Sequence, residues 1–205
     1  MVPSAARILE SLTTTANKAV PLAIGWHVLF AIAGLFLLAG WKPSRRIAAA
    51  LLTLPLISVG VLAWAFDNPF NGSVFLALAL ALLAASARLG EASIRRGPPW
   101  AIRLGVLMAL FGWVYPHFLE AGSPLRYLYA APTGLVPCPT LASVIGLALI
   151  GDGIGTVRWS VPLGTAGIFY ALFGTFGLGV GIDLLLLLGA AALIVRASWP
   201  VRVTP

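Results

Sequence analysis

The chain holds one cysteine, two histidines and six acidic residues in 205 positions, so any site for binding or catalysis must be assembled from few side chains. Cys138 sits between Pro137 and Pro139 in GLVPCPT, His117 follows Pro116 in YPHFLE, and His27 lies inside an apolar run. Thiolate and imidazole are donors that suit copper(I), zinc or haem iron. The three residues therefore form a candidate site for a soft metal ion or a haem, with Tyr115, Asp67, Glu120, Arg126 and Thr140 as polar support. No close-spaced Cys or His pair occurs, so the fold itself would have to bring the ligands together. No Ser, His and Asp fall in a recognisable constellation, and no two carboxylates pair within one apolar run, which argues against a hydrolase-type catalyst.

The elements that must position these residues are membrane spans. With 60% hydrophobic residues, 9% charged residues and a mean hydropathy of +1.00, the chain cannot cover a soluble surface, which takes about a quarter charged residues. At roughly 20 apolar residues per span, the length allows six or seven transmembrane helices and no separate soluble domain. The net charge of +7 comes from short clusters between apolar runs rather than from a basic tract interleaved with aromatics, so it reads as a topology signal and excludes nucleic acid as the expected partner. A single cysteine forms no internal disulfide. The first twenty residues lack the pattern of a cleaved signal, and the first apolar run is expected to act as an uncleaved insertion signal.

Apolar runs cover 19–41, 47–66, 74–87, 99–115, 140–150, 161–178 and 184–195. The expected fold is an all-α polytopic bundle of seven spans, with six as the alternative; the third, fifth and seventh runs are short for a bilayer. Lys42, Arg45, Arg46, Arg88, Arg95, Arg96, Arg103, Arg158, Arg196 and Arg202 all fall on one side of a seven-span chain. By the positive-inside rule that side is cytoplasmic, giving an outer N-terminus and a cytoplasmic C-terminus in a bacterial inner membrane. Trp41, Trp100, Trp159 and Trp199 near cytoplasmic ends, and Trp64 and Trp113 near outer ends, suit rings at headgroup level. The whole chain is then one transmembrane domain, with an outer N-terminal segment over 1–18 and an outer irregular loop with a short interfacial helix over 119–139.

This topology sorts most reactive groups to the outer half. His27 lies about 12 Å into the first span at ~1.5 Å per residue; its stripe of Ala23, Ala31 and Gly34 turns it towards the bundle, and a polar ring at that depth needs a partner or a function. Gly164, Gly167, Gly174 and Gly177 form a similar small-residue face in the sixth span. Asp183 is expected to cap the last helix, Asp67 to sit in a solvated turn, and Glu120 and Arg126 to pair at the interface. The strings GDGIGT and GLGVGID read as turns, since neither has the lysine of a phosphate loop. Pro116 ends the fourth span, Ser123 and Pro124 start the short helix, and Pro132, Pro137 and Pro139 forbid a continuous helix through the rest. Cys138 is expected at the N-cap of the fifth span, with Pro139 as first helical residue, where free N–H groups and the helix dipole would make the sulfur a better ligand or nucleophile.

The stretch YPHFL followed by APTGLVPCPTLASVIGLAL resembles a bacterial multi-pass membrane family catalogued only as a domain of unknown function, with an aromatic-Pro and then a Pro-Thr-x-Gly-hydrophobic-Pro-Cys-Pro-Thr signature. The resemblance implies that Tyr115, Pro116, Pro132, Thr133, Gly134, Pro137, Cys138, Pro139 and Thr140 form the signature positions, and it implies no reaction. The leading expectation is a binding or redox site at the outer face around the Pro-Cys-Pro turn. The alternatives are a small-solute or ion transporter or channel, and an accessory subunit packed against another membrane protein or a second copy of itself in the lipid bilayer.

Overall fold

A computed structural model describes residues 4–120 and 122–198. Nine helices are present among them: α1 (Ala5–Lys18), α2 (Val20–Leu38), α3 (Arg45–Ala65), α4 (Pro69–Ala87), α5 (Pro99–Val114), α6 (Tyr127–Ala130), α7 (Pro137–Ile150), α8 (Val157–Leu172) and α9 (Leu184–Ser198). The described residues contain no strand, only an isolated bridge between Ser44 and Ser93. Five helices are long and apolar enough to cross a membrane: Val20–Leu37, Arg45–Ala65, Pro69–Ala87, Val157–Gly177 and Gly181–Ser198. The apolar α5 and α7 are shorter. Large apolar side chains such as Leu80, Leu35 and Leu188 are exposed on the outside of the bundle, as lipid contact requires and water would penalise.

The spans differ in detail from the sequence reading. The third is not short: Asn68 caps it through its side-chain oxygen and Pro69 takes the first turn, so the helix gains a full turn from the DNPFNG stretch. Asp67 remains an exposed turn residue, with φ of 58°. In the first span Ala23 is buried, whereas Ala31 is exposed and Gly34 has open space where a Cβ would stand, so that stripe makes no continuous contact face. Trp159 is fully buried inside the bundle, so its ring does not face outward. Trp199 and Arg202 lie outside the described residues.

The most buried helix is α7, enclosed almost from end to end. It crosses α5 at minimal separation, because Gly105, Gly112 and Gly146 offer no side chain: a Cβ on Gly146 would stand 2.5 Å from the Gly105 carbonyl oxygen. In α8 Gly164 and Gly167 meet Ala190 in the same way, whereas Gly174 faces Asp183 and Gly177 is exposed with only Phe173 of its own turn beside it, so the expected four-glycine face is formed in part. Close backbone approach of this kind substitutes for the hydrophobic drive that lipid abolishes.

One end of the bundle is tied by polar contacts. Gly97 N donates to Ile150 O, joining the start of α5 to the end of α7. Asp152, Gly153, Ile154 and Gly155 have φ between 56° and 67°, a full turn of left-handed backbone. An L side chain pays roughly 1–2 kcal/mol there, so the turn needs holding. Arg45 donates to the carbonyls of Ile154 and Gly155, Ser160 Oγ donates to Gly153 O at 2.5 Å, and Arg196 pairs with Asp152 at 2.5 Å. The GDGIGT string is thus a turn, clamped by α3, α8 and α9.

Because α3, α5, α7 and α9 are level at that end, their lengths decide what happens at the other. At ~1.5 Å per residue, α3 (21 residues) spans about 31 Å, whereas α7 (14 residues) spans about 21 Å and α9 (15 residues) about 22 Å. The short helices stop below the top of the long one and leave a recess. Residues 115–120 and 122–136 fill part of it. The amphipathic α1 roofs the rest: Ser11 Oγ donates to Phe66 O beyond the end of α3, Asn17 bonds Phe118 O and Glu120 N, and Leu12, Thr15 and Ala16 face inward while Arg7, Glu10 and Lys18 face out.

Candidate functional site

Cys138 lies on the floor of this recess. The fifth apolar helix starts two residues earlier than the sequence suggests: Val136 is the N-cap, Pro137 the first helical residue and Cys138 the second, so the irregular segment ends at 136 rather than 139. The proline supplies a fixed φ where no N–H partner is needed. Thr140 secures the entry, its Oγ1 accepting from Gly134 N at 2.8 Å and donating to Val136 O at 2.7 Å. Gly134 has a φ of +80° and lies against the Trp26 indole, which leaves no room for a side chain. Thr133 Oγ1 bonds Gly112 O and so fastens the turn to α5. Pro132 accepts the N–H groups of Leu135 and Val136 and closes the turn.

A buried carboxylate stands near Cys138. Asp183 is 1% exposed, accepts from Tyr115 Oη at 2.7 Å and is close enough to the thiol for the two to interact electrostatically. The thiol itself donates to Tyr170 O, 3.9 Å from the sulfur. Asp183 is therefore not the helix cap that its position before five leucines suggests; its carboxylate turns inward to Tyr115 at the end of α5. Gly174 makes room, since a Cβ there would overlap the Asp183 side chain. It belongs to a π-helical turn at Phe173–Gly177 that ends the sixth span, a distortion often retained where a site needs it. Tyr170 Oη donates to Asn71 Oδ1 at 2.9 Å and extends the polar set to α4. Helix dipole and carboxylate act on the sulfur with opposite sign, so the N-terminal position alone does not set its reactivity.

The histidines go elsewhere. His27 is buried, with Nδ1 2.8 Å from Ala23 O and Nε2 2.9 Å from Trp113 O, and its ring meets the Trp113 ring edge-on. Both nitrogens face backbone carbonyls, so neither offers a free lone pair to a metal. His27 does face the bundle, and with Trp26 Nε1 donating to Ser58 Oγ at 3.1 Å it fastens α2 to its neighbours. His117 is half-buried against Phe118 and Tyr115, and burial pushes its imidazole below the usual range. Among the described residues no group of three or more His, Cys, Asp or Glu side chains could hold a metal ion.

No family model, curated protein or solved structure matches the chain.

The remaining polar residues act as scaffold. Pro116 follows the end of α5, where Tyr115 turns out of the helix. Ser123 caps the short 3₁₀ turn from Pro124 that runs into α6, the expected interfacial helix. Arg126 Nη1 donates to the Glu120 backbone carbonyl at 3.4 Å, and Glu120 N takes the Asn17 side chain. A cleft of about 10 Å³, room for a single water, opens between Cys138, Tyr170, Asn71 and the roof residues Ile8 and Leu12.

Proposed function

We propose that this chain is a multi-pass protein of the bacterial inner membrane, with seven spans, an outer N-terminus and a cytoplasmic C-terminus, whose outer end carries a binding site for a small ligand. The observation that carries the reading is the buried Asp183 carboxylate, bonded by Tyr115 and near the unique thiol. An ionisable group at such depth is costly unless paired and marks a site by default. Seven apolar helices, with basic residues gathered at one end of the bundle, support the topology. The Pro-Cys-Pro-Thr turn supports kinship with the multi-pass family it resembles.

The ligand we propose has a hydrogen-bond-donating head for Asp183 and an apolar body; because the cleft between Ile8, Leu12, Phe173 and Leu178 holds a single water, the ligand enters only as the α1 roof lifts. The donor set favours this over a soft metal or haem, since the histidine nitrogens of His27 are committed to carbonyls. The test uses hexylamine and hexanoate as probes in lipid nanodiscs, reading the rate at which iodoacetamide alkylates Cys138, the only cysteine. Hexylamine is expected to slow alkylation several-fold and hexanoate to leave it unchanged, with protection lost in Asp183→Asn. Alkylation indifferent to both probes overturns the reading.

A further inference from the structure

At the basic end of the bundle the arginines divide into two groups. Arg45, Arg46 and Arg196 are spent on protein acceptors: the carbonyls of the left-handed turn, Glu91 and Asp152. Arg95, Arg96 and Arg103 are exposed and, like Arg88 at the end of α4 and Arg158 in α8, have no hydrogen-bond or ion-pair partner among the described residues. The loop that carries the first two is pinned, by Ile94 N to Pro43 O and by Gly97 N to Ile150 O. Its cations are therefore held beside the start of α5 rather than on a free tether.

Along α5 the residues Trp100, Arg103, Leu107 and Leu110 follow helical spacing and share one face. All four are exposed, while Ala101, Gly105, Met108 and Gly112 form the opposite, buried face. From the helix end inward, that outer stripe presents an indole, a guanidinium and then two leucines. Arg103, one turn inside Trp100, reaches outward along its stem to the phosphate level, and the leucines lie at acyl depth.

We infer that the loop 95–97 and the outer face of α5 form a binding site for one anionic phospholipid. Arg95, Arg96 and Arg103 take the headgroup phosphate and any second negative charge, Trp100 packs beside the headgroup, and Leu107 and Leu110 accept an acyl chain. Guanidinium suits phosphate because its planar fork donates two parallel hydrogen bonds. Unpaired cations at a helix end attract anionic lipid in any case; what is specific here is their convergence with the aromatic and apolar stripe of a single helix. The inference needs only that α5 faces lipid, and not the outer-face ligand site or the side on which this end lies.

The test is native mass spectrometry of the detergent-solubilised full chain titrated with phosphatidylglycerol and with phosphatidylcholine. Compared are wild type, a variant Arg95→Gln/Arg96→Gln/Arg103→Gln, and a control Lys42→Gln/Arg88→Gln/Arg158→Gln that removes the same charge elsewhere at this end. The site variant is expected to lose at least tenfold in the first phosphatidylglycerol bound, the control less than twofold, with phosphatidylcholine unaffected in all. Equal losses in both variants would show diffuse electrostatic attraction and overturn the site. A thermal-stability arm with inorganic phosphate separates the sources: stabilisation of the wild type equal to that by phosphatidylglycerol would assign the arginines to a soluble anion and overturn the lipid assignment. Unfolding midpoints in phosphatidylcholine nanodiscs, expected equal for the three proteins, check that each variant folds.

Discussion

Tyr115 donates its phenolic hydrogen to Asp183 at 2.7 Å, joining the end of α5 to the start of α9 across 68 residues of sequence, with both groups buried. A hydrogen bond to a charged acceptor contributes about 1.5–3 kcal/mol, and removing one partner leaves the other unsatisfied. Tyr115→Phe and Asp183→Asn are each expected to destabilise by about 2 kcal/mol. The double variant should cost clearly less than their sum, because the residues share one contact. Unfolding in mixed micelles gives all three values; strict additivity would mean that the bond carries no energy.

Access to Cys138 is set by α1. Leu12 is 7% exposed and Ile8 stands beside it over the cleft, while the helix is held by only a few side-chain bonds. Leu12→Ala removes apolar contact from the roof, and each ~1.4 kcal/mol off the opening cost raises the open population about tenfold. Alkylation of Cys138 is expected to accelerate at least tenfold in Leu12→Ala. Leu80→Ala, on the 68% exposed lipid face, should leave it unchanged. Equal rates in the two variants would place the path to the sulfur elsewhere.

The helical bundle and the two ends were legible in the sequence because apolar run length and the grouping of arginines are local signals. So were the break at Pro116, the cap at Ser123 and the inward turn of His27. The site itself was not. Asp183 stands where a helix cap belongs, and nothing within several residues tells that its carboxylate meets Tyr115 instead; that follows from the short α7 and α9 ending at one level. The roof gave a local signal that could have been used: Ser4 before a helical spacing of Ile8, Leu12, Thr15 and Ala16 marks an amphipathic helix. The empty face around Gly34 shows the converse, small residues at packing intervals with nothing packed on them.

The pair Asp152–Arg196 is the strongest candidate for a single-residue collapse at the opposite end. Its side chains are 10% and 15% exposed, and the contact is a single Nη2 to Oδ1 approach, with Arg196 Nε facing no acceptor among the described residues. Breaking such a pair from one side costs about 3–5 kcal/mol, because a charge is left buried and unpaired. Arg196→Met should therefore destabilise severely, whereas Arg196→Met/Asp152→Asn should recover a large part of the loss. The comparison of unfolding midpoints is the check; a double variant no better than the single would mean that Arg196 acts through packing alone.

His117 makes stability sensitive to acid in a direction that burial fixes. Desolvation lowers its pKa from the ordinary 6.5, so the unfolded chain binds the proton more readily than the fold does. Above 6.5 both states are neutral and nothing is lost; as pH falls through 6.5 towards the folded value the unfolded state gains protons first, and stability declines. His117→Gln keeps a polar side chain of similar reach and removes the titration. Between pH 7.5 and pH 5 the wild type should lose more of its unfolding midpoint than His117→Gln does, with the curves converging above pH 7. Parallel curves would mean that the ring is hydrated in the folded protein and that Phe118 and Tyr115 do not seal it.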